Sequence, residues 1–396
     1  MKSFLTSSSP LPVPRRFLRC SIILTMMSSL ATSEKKLQVV AESLNSFAPR
    51  KCRLLPAESL DGYRCRCSFQ IVRDSDGRIQ YAVREDQQPV VISSFPMANE
   101  RIQEDMKGLL EELRNEPNLC EHLSSVAFST TWNHQLACLC TLNYEAPIED
   151  ESLWQKHAIE ACRRMGFQQL TARSRKRVLR ALNDASTTLV DTVWISENET
   201  GWSVSLSPQR FATAEVHYAK PEGAFFHPNA TAMRDSLEWM LNRLSTLPQP
   251  LSLLELYCGC GAHTMALAKS GLLKEVTAIE LDERLVVACR ENCRRNEVVV
   301  NIVSQDAGQW CAQNLHSANT LLVDPPRQGL DAQVCDMACR SRSIETMLYI
   351  SCGKDALVRD LERLSGSFEV VDCLLLDLFP GTSAVESLVH LQRRPS

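Results

Sequence analysis

Cys352 ends an apolar run and opens a polar, helix-forming one in LYISCGKDALVRDLERL (Leu348 to Leu364). A thiol between a strand end and a helix start meets the positive end of the helix dipole, which favours the nucleophilic thiolate. Lys354 is expected to add positive charge nearby. A second chemical position lies in DLFPGTSAVESLVHL (Asp377 to Leu391), where Glu386 leads into the apolar stretch Ser387 to Leu391. A carboxylate entering a buried strand is costly unless it is used or paired. A third is LLVDPPRQGL (Leu321 to Leu330), where two prolines fix a rigid backbone just past an apolar strand. There Asp324 can accept from a donor, and Arg327 can hold a phosphate or a base edge.

The segment LLELYCGCGAHTMALA (Leu253 to Ala268) reads as strand, glycine turn and helix. Gly259 and Gly261 let the backbone approach a ligand closely at the carboxyl end of a strand. Glu280, in VTAIELD, follows about twenty residues later, where a carboxylate holds ribose hydroxyls. A dinucleotide site would want a third glycine near Thr264, and none stands there. The pattern therefore favours S-adenosylmethionine over NAD. Cys258 and Cys260 read as turn residues. Cys289 and Cys293 sit four apart on an expected helix with no second ligand pair, so they read as packing rather than metal ligands.

These positions need a scaffold that brings strand ends together. From about Tyr218, expected strands alternate with helices: Ser252 to Tyr257, Thr264 to Ser270, Glu275 to Leu281 and Glu283 to Arg295. Leu321 to Val323, Thr346 to Ser351 and Glu369 to Asp377 are short apolar strands of the kind buried on both faces of a parallel sheet. The C-terminal half is expected to be a doubly wound, Rossmann-like α/β domain spanning 216–396. Residues 35–215 read as an N-terminal α+β domain with an antiparallel sheet. YRCRCSFQIV (Tyr63 to Val72) turns Cys65, Cys67, Phe69 and Ile71 to one side of a strand. Ile102 to Leu113 and Trp154 to Met165 read as helices. RSRKRVLR (Arg173 to Arg180) is the most basic stretch; as a strand it would put Arg173, Arg175 and Arg177 on one face, suited to phosphate contact.

The chain's 396 residues suffice for two domains, and its charge of −4 means that any nucleic-acid surface is a local basic patch. Its 17 cysteines are scattered, which reads as a reducing compartment. Residues 1–34 read as a targeting or disordered segment. The first acidic residue is Glu34, while Lys2, Arg15, Arg16 and Arg19 stand among many Ser and Thr. Mitochondrion or plastid follows if this is a transit peptide; otherwise, or from an internal start at Met26 or Met27, the cytoplasm.

Taken in order, YRCRCSFQI, SSFPMA, FFHPNATAM followed by LEWML, ELYCGCG, VDPPRQGL, YISC followed by RDL, and DLFPGT followed by Glu386 resemble the TrmA family of tRNA (uracil-5-)-methyltransferases. The likeness spans nearly the whole chain from about Lys36. It implies that Cys352 adds to C6 of uracil and that Glu386 removes the C5 proton. It also implies that Tyr257, Glu280 and Asp324 contact S-adenosylmethionine, with His227, before Pro228 and Asn229, standing at a family glutamine. Ala262 replaces a family asparagine, Gly353 and Lys354 an Asn-Pro, and Ser383 and Ala384 a His pair. These departures bear on affinity and substrate preference more than on reaction type. The N-terminal domain becomes an expected RNA-binding domain, with Arg175, Arg177 and Arg327 as substrate contacts. The expected partner is tRNA through its T-arm and uridine 54, with no metal, no membrane and a monomeric chain. Ribosomal or organellar RNA as substrate stays open, as does a tRNA-folding chaperone whose methylation is secondary.

Overall fold

The structure, a computed structural model, describes residues 29–47, 52–85, 88–132, 137–175 and 177–395. Most of the expected leader segment, and Lys176, lie outside these residues.

The described chain opens with helix α1 (Ser29–Leu44) and strand β1 (Arg53–Leu55). Leu37, Val40 and Leu44 recur at helical spacing and are buried in one cluster with Leu364, Phe368 and Leu375 from the other end of the sequence. Burial of each such side chain contributes about 1.5–3 kcal/mol. β1 pairs in parallel with residues 374–376, Arg53 opposite Leu374.

Next come β2 (Arg66–Arg73), β3 (Ile79–Glu85), β4 (Gln88–Ile92), α2 (Glu100–Asn115), α3 (Pro117–Cys120), β5 (Leu123–Thr130), β6 (Cys138–Tyr144), α4 (Glu151–Met165), β7 (Gln169–Ser174) and β8 (Arg177–Arg180). Their strands form one sheet in the order β4-β3-β2-β5-β6-β7-β8. Cys67 and Phe69 of β2 and Val126 and Phe128 of β5 face Ile102, Leu109 and Trp154 in a shared core, as the period-two pattern requires. The alternate positions, Arg66 and Ser68, are exposed on the other face. The sheet is not wholly antiparallel as expected. β6 and β7 run parallel, because α4 supplies the crossover between them.

A three-stranded antiparallel sheet follows: β9 (Thr188–Asn198), β10 (Gly201–Ser205) and β11 (Ala214–Pro221). Its Val193, Val204 and Tyr218 pack with Met233, Met240 and Leu253.

The rest is α5 (Ala230–Ser245), β12 (Leu251–Leu256), α6 (Ala262–Lys269), β13 (Leu273–Glu280), α7 (Glu283–Asn296), β14 (Asn301–Ser304), α8 (Ala307–Gln313), β15 (Thr320–Val323), α9 (Ala332–Arg340), β16 (Thr346–Ser351), α10 (Lys354–Leu364), β17 (Phe368–Leu376) and β18 (Glu386–Arg393). The eight-stranded sheet runs β1-β17-β18-β16-β15-β12-β13-β14. It is the expected Rossmann-like, mostly parallel α/β sheet, with β18 antiparallel to both its neighbours. Residues 29–55 and 188–221 join the C-terminal cores, and the sheet of residues 66–180 has a core of its own.

Candidate active site

The carboxyl ends of β12, β13, β15 and β16 meet at one edge, at the crevice where open α/β sheets hold ligands. After β12 the chain turns sharply, with positive φ at Tyr257 (63°), Gly259 (59°) and Gly261 (85°). A left-handed tyrosine is unfavourable and persists only where its surroundings enforce it, a mark of functional sites. A Cβ on Gly259 would meet nothing within 4 Å, so this turn borders open space. On Gly261 it would sit 2.8 Å from Met265 Cε, so that glycine serves packing. Glu280 fixes the turn: one carboxylate oxygen accepts the Gly259 amide at 2.9 Å, the other the Asp282 amide at 2.8 Å. The Tyr257 hydroxyl donates to Asp331 at 3.4 Å.

Asp324 stands just past β15, and burial pushes its carboxyl up to about 7. Its Oδ2 is 3.9 Å from Nδ1 of His263 on α6. Burial holds the imidazoles of His263 and His227 down, to about 3 and about 4, so both are neutral at pH 7. Nδ1 of His227 is buried without a well-formed hydrogen bond among the described residues, although the Asn229 backbone acts on the imidazole and partly offsets burial. His227 is held by its neighbours: the carbonyl of Pro228 accepts from the Cys65 amide at 2.9 Å, and Asn229 caps α5 while donating to the Leu378 carbonyl at 2.9 Å. The open space over Gly259, the carboxylates of Glu280 and Asp324 and the His227 imidazole fit a nucleoside with an amino-acid end.

Strand register brings the two reactive candidates together. β16 runs antiparallel to β18 and the pairing ends at Ser351 opposite Ser387, so the next residue of one strand, Cys352, and the first of the other, Glu386, lie at the same end of the pair, where Glu386 acts on the thiol. Cys352 is half-buried and Glu386 only 5% exposed. The sequence expectation for the thiol is corrected here. Burial pushes the Cys352 thiol up, Glu386 and Asp324 push it further, and Arg327 opposes them. Lys354 is not the deciding charge; its ammonium turns to Asp355 at 3.5 Å. Burial, then Asp324, drives Glu386 well above the usual carboxylate range, again against Arg327. Desolvation and two acid groups from other strands thus act on the thiol in the direction opposite to a helix N-terminus.

The Asp324–Leu330 loop is held from α10. Asp360, fully buried, accepts from the Leu330 amide at 2.7 Å, the Tyr349 hydroxyl at 2.8 Å and Arg359 Nε at 2.9 Å. Sequence reasoning missed Asp360, although the RDL in which it sits was visible.

A groove of about 860 Å³ opens between the outer face of the N-terminal sheet and this edge. Arg64, Arg66, Arg173 and Arg327 line it, with Phe225 at 69% exposure and Phe379 beneath Arg64, whose guanidinium lies 4.9 Å from the ring centre. Arg64 and Arg66 were missed as contacts, yet the alternation in YRCRC signals them: residues that alternate with the inward Cys65 and Cys67 face outward. The basic stretch is not one strand. Arg175, at φ 48°, turns the chain between β7 and β8, so among the described residues of the stretch only Arg173 lines the groove, where it pairs with Glu222 at 3.3 Å. Arg175 is exposed and Arg177 is paired with Glu151, and neither lines the groove. Cys258, Cys260, Cys289 and Cys293 are buried together in the core.

A family model described as tRNA (Uracil-5-)-methyltransferase matches residues 28–311 and 311–394. A tRNA/tmRNA (uracil-C(5))-methyltransferase of Shewanella amazonensis is 30% identical over 380 residues, covering 91% of this chain and 96% of the relative. One from Pseudomonas aeruginosa is 31% identical over 353 residues, covering 84% and 88%. Among solved structures, the Pyrococcus abyssi tRNA (uracil-54, C5)-methyltransferase in complex with S-adenosyl-L-homocysteine shares the fold, with a TM-score of 0.67 at 17% identity, covering 91% of this chain and 83% of that one.

Proposed function

Because the chain belongs to the tRNA (uracil-5-)-methyltransferase family, we propose that it moves a methyl group from S-adenosylmethionine to C5 of a uridine in transfer RNA, uridine 54 of the T-loop being the target. The observation that supports this reading is the β16–β18 register, which ends at Ser351 opposite Ser387 and so leaves Cys352 and Glu386 at the same end, on the sheet edge bearing Gly259, Glu280 and Asp324.

The cofactor supplies an electrophilic methyl group on a sulfonium. Glu280, Asp324, Tyr257 and His227 are the residues to hold it, against the open turn at Gly259 and Gly261. Uracil C5 alone is a poor nucleophile. Cys352 Sγ bonds to C6, the C5–C6 π electrons shift toward O4, and C5 becomes nucleophilic enough to take the methyl. Glu386 then accepts the C5 proton, the C–H electrons restore the C5–C6 double bond, and the C6–S bond breaks to release Cys352 as thiolate. General-base help of this kind is worth ~10²–10⁴ in rate. A carboxyl whose affinity for protons is raised by burial is the stronger base for a carbon acid. Arg327 opposes the upward push on both groups and so favours their reactive, charged forms.

The target base must leave its stack, at a cost of a few kcal/mol. The sheet of residues 66–180 is the surface proposed to grip the T-arm, with Arg64 and Arg66 set toward phosphates and Arg173, paired with Glu222, beside them.

A T-arm RNA carrying 5-fluorouridine at the target tests the scheme, since fluorine at C5 blocks proton removal. Wild type should form a denaturation-resistant complex with methyl transferred, and Cys352→Ala none. A Cys352→Ala protein that still made 5-methyluridine would overturn it.

A further inference from the structure

We propose that Lys36, on the N-terminal helix α1, is a positioning residue for the proton-removal step, clamping the loop that delivers Glu386. The proposal rests on Glu386 being the base.

The Lys36 ammonium donates to three backbone carbonyls, Phe379 at 3.1 Å, Thr382 at 2.9 Å and Ala384 at 3.0 Å. It also lies 2.5 Å from the carboxylate of Asp377. An ammonium has three N–H donors, so these carbonyls use its full capacity while the carboxylate balances its charge. All four partners belong to the connection between β17 and β18, and that connection ends at Glu386, the first residue of β18. The Asp377 side chain is wholly buried, and both its oxygens lack a hydrogen bond among the described residues, so Lys36 is its counter-charge. The loop has no regular structure of its own and turns through Gly381 at φ 80°. Among the described residues its other tethers are single bonds, from the Asp377 amide to the Leu55 carbonyl at 3.1 Å, from Asn229 to the Leu378 carbonyl and from Tyr63 to the Pro380 carbonyl. The loop has a turn of its own, the Phe379 carbonyl accepting from the Thr382 amide at 3.1 Å, and the carbonyls converging on Lys36 fasten that turn to α1. Thr382, Ser383 and Ala384 also form a wall of the groove, so one lysine sets both the groove's edge and the aim of the base.

Lys36→Met alone leaves Asp377 buried and unpaired, which can unfold the region. The test therefore uses Lys36→Met with Asp377→Asn, beside wild type and Glu386→Gln, in single turnovers on unmodified T-arm RNA. In the double variant the Cys352–RNA adduct should form within about twofold of the wild-type rate, while its breakdown to methylated RNA slows by about tenfold or more. Deuterium at uridine C5 should give a larger isotope effect than in wild type, which loss of stability alone would not produce. Amide exchange across residues 378–385 should quicken. Wild-type breakdown rate or unchanged exchange in the double variant, with Glu386→Gln accumulating adduct, would overturn the Lys36 proposal alone. Normal turnover by Glu386→Gln would overturn the base assignment and this proposal with it.

Discussion

The backbone carbonyl of Arg327 rests against Gly353: a Cβ built there would lie 2.5 Å from that oxygen. The residue after the nucleophile thus supports the loop that carries the arginine. Gly353→Ala must push the loop away, because a backbone carbonyl cannot rotate aside as a side chain does. With Arg327 displaced, both Cys352 and Glu386 lose the cation that favours their charged forms. The expected outcome is a loss of about 10–100-fold in kcat with little change in RNA affinity, as for a misplaced catalytic group. Parallel kinetics and filter-binding measurements check it; unchanged kcat would show that the contact is slack.

The pH dependence of methyl transfer has a definite sign. Reaction needs Cys352 as thiolate and Glu386 as carboxylate. The environment raises the proton affinity of both, and Asp324 beside them titrates at about 7. Activity should therefore climb as pH rises from about 6 to about 9. Arg327→Gln removes an opposing positive charge, so its profile should shift to higher pH. Single-turnover rates in one buffer series decide it; a profile flat in this range would mean that the groups are already charged.

Glu386 also links stability to pH. Its folded-state proton affinity lies above the unfolded one, so the protonated form favours the native state. That stability is full below the unfolded carboxyl range and lost as pH rises through the folded value. Glu386→Gln should then melt higher than wild type at about pH 8, with the gap closing toward about pH 4. Calorimetry at the two pH values tests this, and equal melting at the upper one would refute a buried, costly charge.

The strand ends bearing Cys352, Asp324 and Glu280 were legible because short apolar runs stop abruptly at a polar residue or a glycine, a local signal. The state of the thiol was not. Its neighbours Glu386 and Asp324 arrive on β18 and β15, and only the sheet order puts them there. Lys36 was invisible for the same reason, its partners lying more than 340 residues away. β1 pairing with β17 hid behind similar separation, so α1 and β1 read as part of the N-terminal domain. The hairpin at Arg175 was missed because its turn carries neither glycine nor asparagine, the residues that advertise a positive φ.

Arg66 and Arg177 give opposite expectations for RNA binding. Arg66 is exposed on the groove face of β2, with one Nη donating to the Ala224 carbonyl at 3.0 Å and, among the described residues, no carboxylate paired with it. Arg177 sits on the edge strand β8 against Glu151, outside the groove. Each phosphate contact releases condensed counterions, so losing one should reduce the slope of log affinity against log salt by about 0.7–0.9. Arg66→Gln should show that reduction together with weaker binding to T-arm RNA. Arg177→Gln should leave slope and affinity close to wild type, because its charge is already matched by a carboxylate. Fluorescence anisotropy across a salt series measures both. The reverse ranking would move the RNA path from the groove to the β7–β8 hairpin.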